Sequence, residues 1–173
     1  MSSHMYISFK GISGDSAFTK AKPKAPSGMG TPIEILNWNH SFVQPTSPTR
    51  VSAGAGTVER ASHANLSFSK YMDTATSSLL KFCWNGKQID AAVLSCYRSD
   101  GTNADALKYL EITMNYVVVA SVSVGGGSGD IPIENVSLSY GKVKYNYIPQ
   151  KKDKGTGTGN SSASHDLTTN TIA

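Results

Sequence analysis

Leu107-Lys108-Tyr109-Leu110-Glu111-Ile112-Thr113-Met114-Asn115-Tyr116-Val117-Val118-Val119-Ala120-Ser121-Val122-Ser123-Val124 decides the fold class. It is rich in Val, Ile and Tyr, carries no helical period, and predicts one long β-strand. Gly125-Gly126-Gly127-Ser128-Gly129-Asp130 breaks it on one side, and Ser99-Asp100-Gly101-Thr102-Asn103 predicts a turn on the other. Upstream, Gln88–Arg98 predicts a strand with Ala92, Leu94 and Cys96 on one face and Ile89, Ala91 and Val93 on the other. Downstream, Glu134–Pro149 predicts another. There Val136, Leu138 and Tyr140 are followed by Val143, Tyr145 and Tyr147, a change of phase that places a bulge at Gly141.

The N-terminal half continues the pattern. Tyr6-Ile7-Ser8-Phe9-Lys10 alternates, with Ile7 and Phe9 expected inward. Gly11–Thr31 predicts a long loop, and Ile33–Val43 a strong strand. Gln44–Thr57, with two prolines and Ser52-Ala53-Gly54-Ala55-Gly56, predicts an excursion before a strand over Glu59–Ser69. One short helix follows. Asp73 or Thr74 caps it, Leu79, Leu80, Cys83 and Trp84 share a face, and Gly86 closes it. Residues 150–164 read as a flexible linker and 165–173 as a C-terminal edge strand of the same domain, which spans 5–149. Residues 1–4 read as a cloning scar. Seven or eight strands and one helix predict a mainly β barrel or sandwich. Several strands are apolar on both faces, so one face is expected to be an interface with other chains.

Composition closes other classes. The chain has 173 residues and 18.3 kDa, with a net charge of +4, too little charge and too many apolar residues for disorder. The longest apolar run, Tyr116–Ala120, is far short of the roughly 20 residues of a membrane helix. No basic and apolar leader opens the sequence, so cytoplasmic synthesis and a dedicated export route are expected. Cys83 and Cys96 have no Cys-x-x-C or His company; they read as buried free thiols, with a disulfide as the alternative.

No catalytic constellation emerges. There is no G-x-S-x-G elbow, and Gly125–Gly129 lacks the G-K-[ST] ending of a phosphate loop. His40 and His63 could face each other across strands, but two histidines make a poor metal site. No cofactor and no metal are expected, and the chain reads as a non-enzyme. Two rival readings stand beside this one: a small hydrolase using His40 or His63, and a β-barrel binding module for carbohydrate or nucleic acid. The latter would bind through Lys151, Lys152 and Lys154, although no aromatic interleaving supports it.

The order of motifs adds a resemblance. Met5–Ser16, Ile33-Glu34-Ile35-Leu36-Asn37-Trp38-Asn39, Leu66–Thr76, Tyr109–Thr113, Val119–Gly126 and Glu134–Tyr140 resemble, in sequence order, blocks of the haemolysin-coregulated protein (Hcp) family, the tube protein of bacterial type VI secretion. The sequence departs from the family in a Pro/Lys-rich Lys20–Gly30 loop, in Trp38-Asn39-His40, and in Ser164-His165 before Asp166. The resemblance implies a pseudo-β-barrel of two antiparallel sheets with one short α-helix, forming homo-hexameric rings that stack into a tube inside a contractile sheath. It implies a VgrG-like spike and small effector proteins as partners, no nucleic acid and no membrane, and release from the bacterial cytoplasm to the outside or into a target cell. It places Asn39 toward the lumen as a cargo contact. It makes the Gln44–Thr57 segment, with Ser47, Arg50, Ser52, Gly54 and Gly56, a ring-stacking loop.

Overall fold

The computed structural model describes residues 3–15, 25–45, 60–99, 106–150 and 159–173. In chain order the elements are β1 (Ser3–Phe9), β2 (Ile33–Glu34), β3 (Asn37–Asn39), β4 (Phe42–Val43), β5 (Ser62–His63), β6 (Leu66–Tyr71), α1 (Ala75–Asn85), β7 (Ile89–Ser99), β8 (Ala106–Gly125), β9 (Ile133–Ser139), β10 (Lys142–Tyr147), β11 (Ser161–Asp166) and β12 (Thr171–Ile172). A first antiparallel sheet runs β12-β11-β10-β8-β7-β1-β2, and a second runs β3-β6-β9-β8. The sheets share β8 and enclose the core. The first ends at β2 and β12, so the described strands form two main sheets and a separate β4–β5 ribbon, with one helix and no closed barrel.

The sharing rests on a change of phase. Ile112 and Met114 are buried in the first part of β8, Val117 and Val119 in the second. Between them Tyr116 takes a left-handed φ of 56°. A strand that alternates strictly keeps one face to one sheet; passing to the facing sheet requires a slip of one residue. The expected bulge at Gly141 makes the same slip opposite Tyr116, with Val136, Leu138 and Tyr140 buried before it and Val143 after. The strand expected over Glu134–Pro149 is therefore two: β9 in the second sheet and β10 in the first. Ile33–Val43, expected as one strand, is split for the same reason. The Ile35 N–H donates to Met5 of β1 at 3.0 Å, and the Leu36 N–H donates to Ser69 of β6 at 2.8 Å, so the chain changes sheets between them.

Ile7, Phe9, Phe68, Leu94, Met114 and Leu138 fill the space between the sheets. Ile7 and Phe9 point inward as expected. Both faces of β7 are covered within one chain: Ala92, Leu94 and Cys96 face the core, while Val93, Ser95 and Tyr97 are also buried, with Tyr97 edge-on to Tyr6. Cys83 and Cys96 are free thiols, Cys96 buried and Cys83 half-buried.

Helix α1 starts on a small polar cluster. The Asp73 carboxylate accepts the Ala75 N–H at 2.9 Å, and the Asp73 N–H donates to Thr76 Oγ1 at 3.1 Å. Gly86, at φ 62°, ends the helix. Its buried stripe is Ala75, Thr76 and Leu79, with Phe82 and Cys83 against the core. Trp84, expected on this face, is 77% exposed, because it lies one residue beyond the stripe.

The C-terminal boundaries shift. Ser161–Ser164, assigned to a linker, belong to β11, which pairs with β10 from Lys142↔Asp166 to Tyr147↔Ser161. The expected edge strand at 165–173 is the end of β11, a turn over 167–170, and β12. At the other end, Ser3 and His4 pair with Arg98 and Tyr97, so β1 begins within the stretch set aside as a scar.

Candidate functional site

Strand register builds a single uncharged surface on the outer face of the second sheet. Asn39 of β3 pairs with Ser67 of β6, Ser67 with Ser137 of β9, and Ser137 with Ser121 of β8. One step along, Asn37 pairs with Ser69, Ser69 with Asn135, and Asn135 with Ser123. Because side chains alternate across a strand, these two rows point the same way. Residues between them, such as Phe68 and Val136, are buried on the other side. The rows are tied internally. Ser67 Oγ lies 2.8 Å from Ser137 Oγ, and Ser69 Oγ donates to Asn135 Oδ1 at 2.6 Å. Tyr71 and Ile133 close one end as an exposed apolar pair.

The charges of these strands are turned inward. Lys70 and Glu134 are both fully buried, with Nζ to Oε2 at 2.8 Å. Lys70 also donates to Asp73 Oδ1 at 2.7 Å and to the Tyr71 carbonyl at 2.9 Å, which joins the pair to the start of α1. The result is a surface that can accept and donate many weak hydrogen bonds but exerts no long-range field.

Asn39, expected to face a lumen, sits in the first row. Its neighbour Trp38 is half-buried against the core, as is Tyr109, and burial raises the pKa of the core thiol Cys96. The inward Trp38 leaves Asn37 and Asn39 on the opposite face of the strand. The other residues of the surface were not singled out from the sequence. Their signal is the Ser-x-Ser and Asn-x-Ser alternation in Leu66–Ser69, Ser121–Val124 and Asn135–Ser139. The stacking-loop candidates Ser47, Arg50, Ser52, Gly54 and Gly56 lie outside the described residues.

His40 and His63 do meet, through a third side chain. His40 Nε2 is 2.7 Å and His63 Nδ1 2.8 Å from the Tyr140 hydroxyl. The other nitrogens are also engaged, His40 Nδ1 with Tyr145 at 2.6 Å and His63 Nε2 with His165 at 2.9 Å. All four ring nitrogens of the pair are thus engaged within this cluster. No group of three metal-binding side chains is found among the described residues.

The model of the family described as "Type VI secretion system effector, Hcp" matches residues 6–147. The chain belongs to the Hcp family of type VI secretion. It is 41% identical over 88 residues to the protein hcp1 of Pseudomonas aeruginosa, a match that covers 50% of this chain and 53% of that one, so it spans about half the length of that relative. Among solved structures, Hcp1 from Salmonella typhimurium is 28% identical with a TM-score of 0.73, and all of each chain is covered. A type VI secretion effector from Yersinia pestis is 26% identical with a TM-score of 0.69, covering 94% of this chain and 98% of that one. A further type six secretion system protein shares the fold at 21% identity, with a TM-score of 0.83 over 99% of this chain and 100% of that one. This Hcp chain keeps the family architecture with an uncharged polar face on its second sheet.

Proposed function

We propose that this Hcp chain is the structural subunit of a type VI secretion tube, and that the outer face of its second sheet lines the lumen. Six copies close into a ring, and rings stack into a tube that a contractile sheath drives outward behind a VgrG-like spike. The Gln44–Thr57 segment, with Ser47, Arg50, Ser52, Gly54 and Gly56, supplies contacts between rings. The protein is made in the cytoplasm and leaves with the tube.

The two rows from Asn39 to Ser121 and from Asn37 to Ser123 carry this reading. A passage that delivers varied cargo must hold it weakly and let it go. Neutral hydroxyls and amides do that, since each hydrogen bond they make replaces one with water and contributes only about 1 kcal/mol. Small effectors would travel against this surface, with Asn39 among their contacts.

The test is the absolute mass of the purified protein by light scattering, with negative-stain images of the same fraction. A species of six chains seen as an open annulus is expected. A filled particle with no annulus at any concentration overturns the reading.

A further inference from the structure

The short ribbon of β4 and β5 has only its own two backbone pairs, Phe42↔His63 and Val43↔Ser62, and joins neither main sheet by strand pairing among the described residues. Side chains fasten it instead. Phe42 packs against His40 at 4.4 Å, His63 at 4.8 Å and Tyr145 at 5.8 Å. Through these rings runs an unbroken line of hydrogen bonds. It passes from Tyr145 to His40, Tyr140, His63 and His165, and ends at Asn170, whose Oδ1 is 3.1 Å from His165 Nε2. His40 and His63 belong to the ribbon and the turn into it. Tyr140, Tyr145, His165 and Asn170 belong to β10, β11 and the turns beside them.

Proton counting leaves one neutral arrangement. Asn170 Oδ1 only accepts, so His165 donates through Nε2. Neutral His165 then accepts at Nδ1 from His63 Nε2–H. His63 accepts at Nδ1 from the Tyr140 hydroxyl. Tyr140 accepts from His40 Nε2–H, and His40 accepts at Nδ1 from Tyr145. All three histidines are Nε2–H tautomers, and every donor meets an acceptor.

A single added proton is taken up by reversing donors and acceptors along the line, with the Tyr145 hydroxyl turning outward. A second proton is not. With His40 and His63 both protonated, His40 Nε2–H and His63 Nδ1–H both point at the Tyr140 oxygen, whose own hydrogen then has no acceptor in the line. Among the described residues, no opposite charge is among the causes that set the His40 and His63 pKa values. The charged neighbours acting on His40 and His63 are each other, His165 and Arg60, all of one sign when protonated. Tyr140 and Tyr145 stay neutral, their pKa values raised by burial.

We propose that this line is an acid-released latch, which holds the β4–β5 ribbon to β10 and β11 while His40 and His63 are neutral and frees it when both are protonated. A cavity of about 370 Å³, lined by Phe42, His63, Val143, Tyr145, His165 and Ile172, separates ribbon from sheet and gives water a way to the rings once the line breaks. Burial holds His40 down at about 4, and burial together with His165 and Arg60 lowers His63, so the latch is closed at neutral pH and opens as pH falls toward about 4. The latch stands on the geometry of one chain and does not depend on the tube reading.

Two measurements on the full chain test it. In protein labelled with ¹⁵N-histidine, ring-nitrogen NMR at neutral pH is expected to show Nε2–H tautomers at His40, His63 and His165. An Nδ1–H tautomer at any of the three overturns the proposal. In amide exchange, the protection factor of Ala64, whose N–H donates to Ser41 within the ribbon, is expected to fall about tenfold or more relative to β8 between pH ~7.5 and ~4, and to recover on return. Equal protection at both pH values overturns it. Tyr140→Phe keeps the ring but removes the central hydroxyl, and is expected to lose ribbon protection already at neutral pH. Should that variant fail to fold, the wild-type tautomers and exchange decide alone.

Discussion

A Cβ placed on Gly141 would lie 3.1 Å from Cδ2 and 3.2 Å from Cβ of Tyr116. The two residues stand where the chain passes between sheets, and the Gly141 N–H donates to the Asn115 carbonyl at 3.0 Å. The phase slip in β8 and the slip between β9 and β10 are thus packed against each other. The absence of a side chain at 141 is what lets the Tyr116 ring lie there.

Gly141→Ala is expected to destabilise the protein by about 1–3 kcal/mol through overpacking against Tyr116 and Thr168. Gly141→Val should cost more. Urea unfolding checks this; a change within about 0.5 kcal/mol for both variants would show that the crossover tolerates a side chain.

Lys70 and Glu134 make a sharper case, because both are fully buried. Lys70→Met leaves the Glu134 carboxylate without its ion-pair partner in the interior, and a loss of about 3–5 kcal/mol is expected. The double change Lys70→Met with Glu134→Leu removes both charges and should recover much of that loss. A double-mutant cycle by denaturant unfolding measures the coupling.

Stability should depend on acid in a stated direction. His40 titrates near 4 in the folded chain and near 6.5 when unfolded. Between these values the unfolded state binds more protons, so stability is full above about 6.5 and falls as pH drops toward 4. The lowered pKa values of His40 and His63 act in the same direction. Denaturant midpoints from pH 7.5 to 4 should show the decline, and His40→Phe should flatten part of it.

Asn39 is exposed at the edge of the uncharged face and has room for a longer side chain. Asn39→Arg should leave unfolding stability within about 0.5 kcal/mol and leave the assembly mass unchanged. It places a full charge on the proposed lumen and should weaken retention of a co-expressed small effector. Quantified co-purification of that effector with wild type and variant decides the point; equal retention would remove Asn39 from the cargo surface.

The sequence by itself determined the class of the fold, most of its strands and the inward set Ile7, Phe9, Ala92, Leu94 and Cys96, because alternation along a strand is a local property. It also located the slip at Gly141 and the ends of the helix, since phase changes and caps are written in neighbouring residues. The order of short blocks carried the family. What it could not decide is which strands share a face. Asn39, Ser67, Ser137 and Ser121 come from four strands, and only pairing register brings them into one row. Nor could it place Trp84 outside, since helical spacing leaves the direction of the stripe open by one residue. The histidine line is the furthest from local pattern. His40, His63 and His165 lie far apart in the chain, and only folding sets Tyr140 between the first two and His165 against the second.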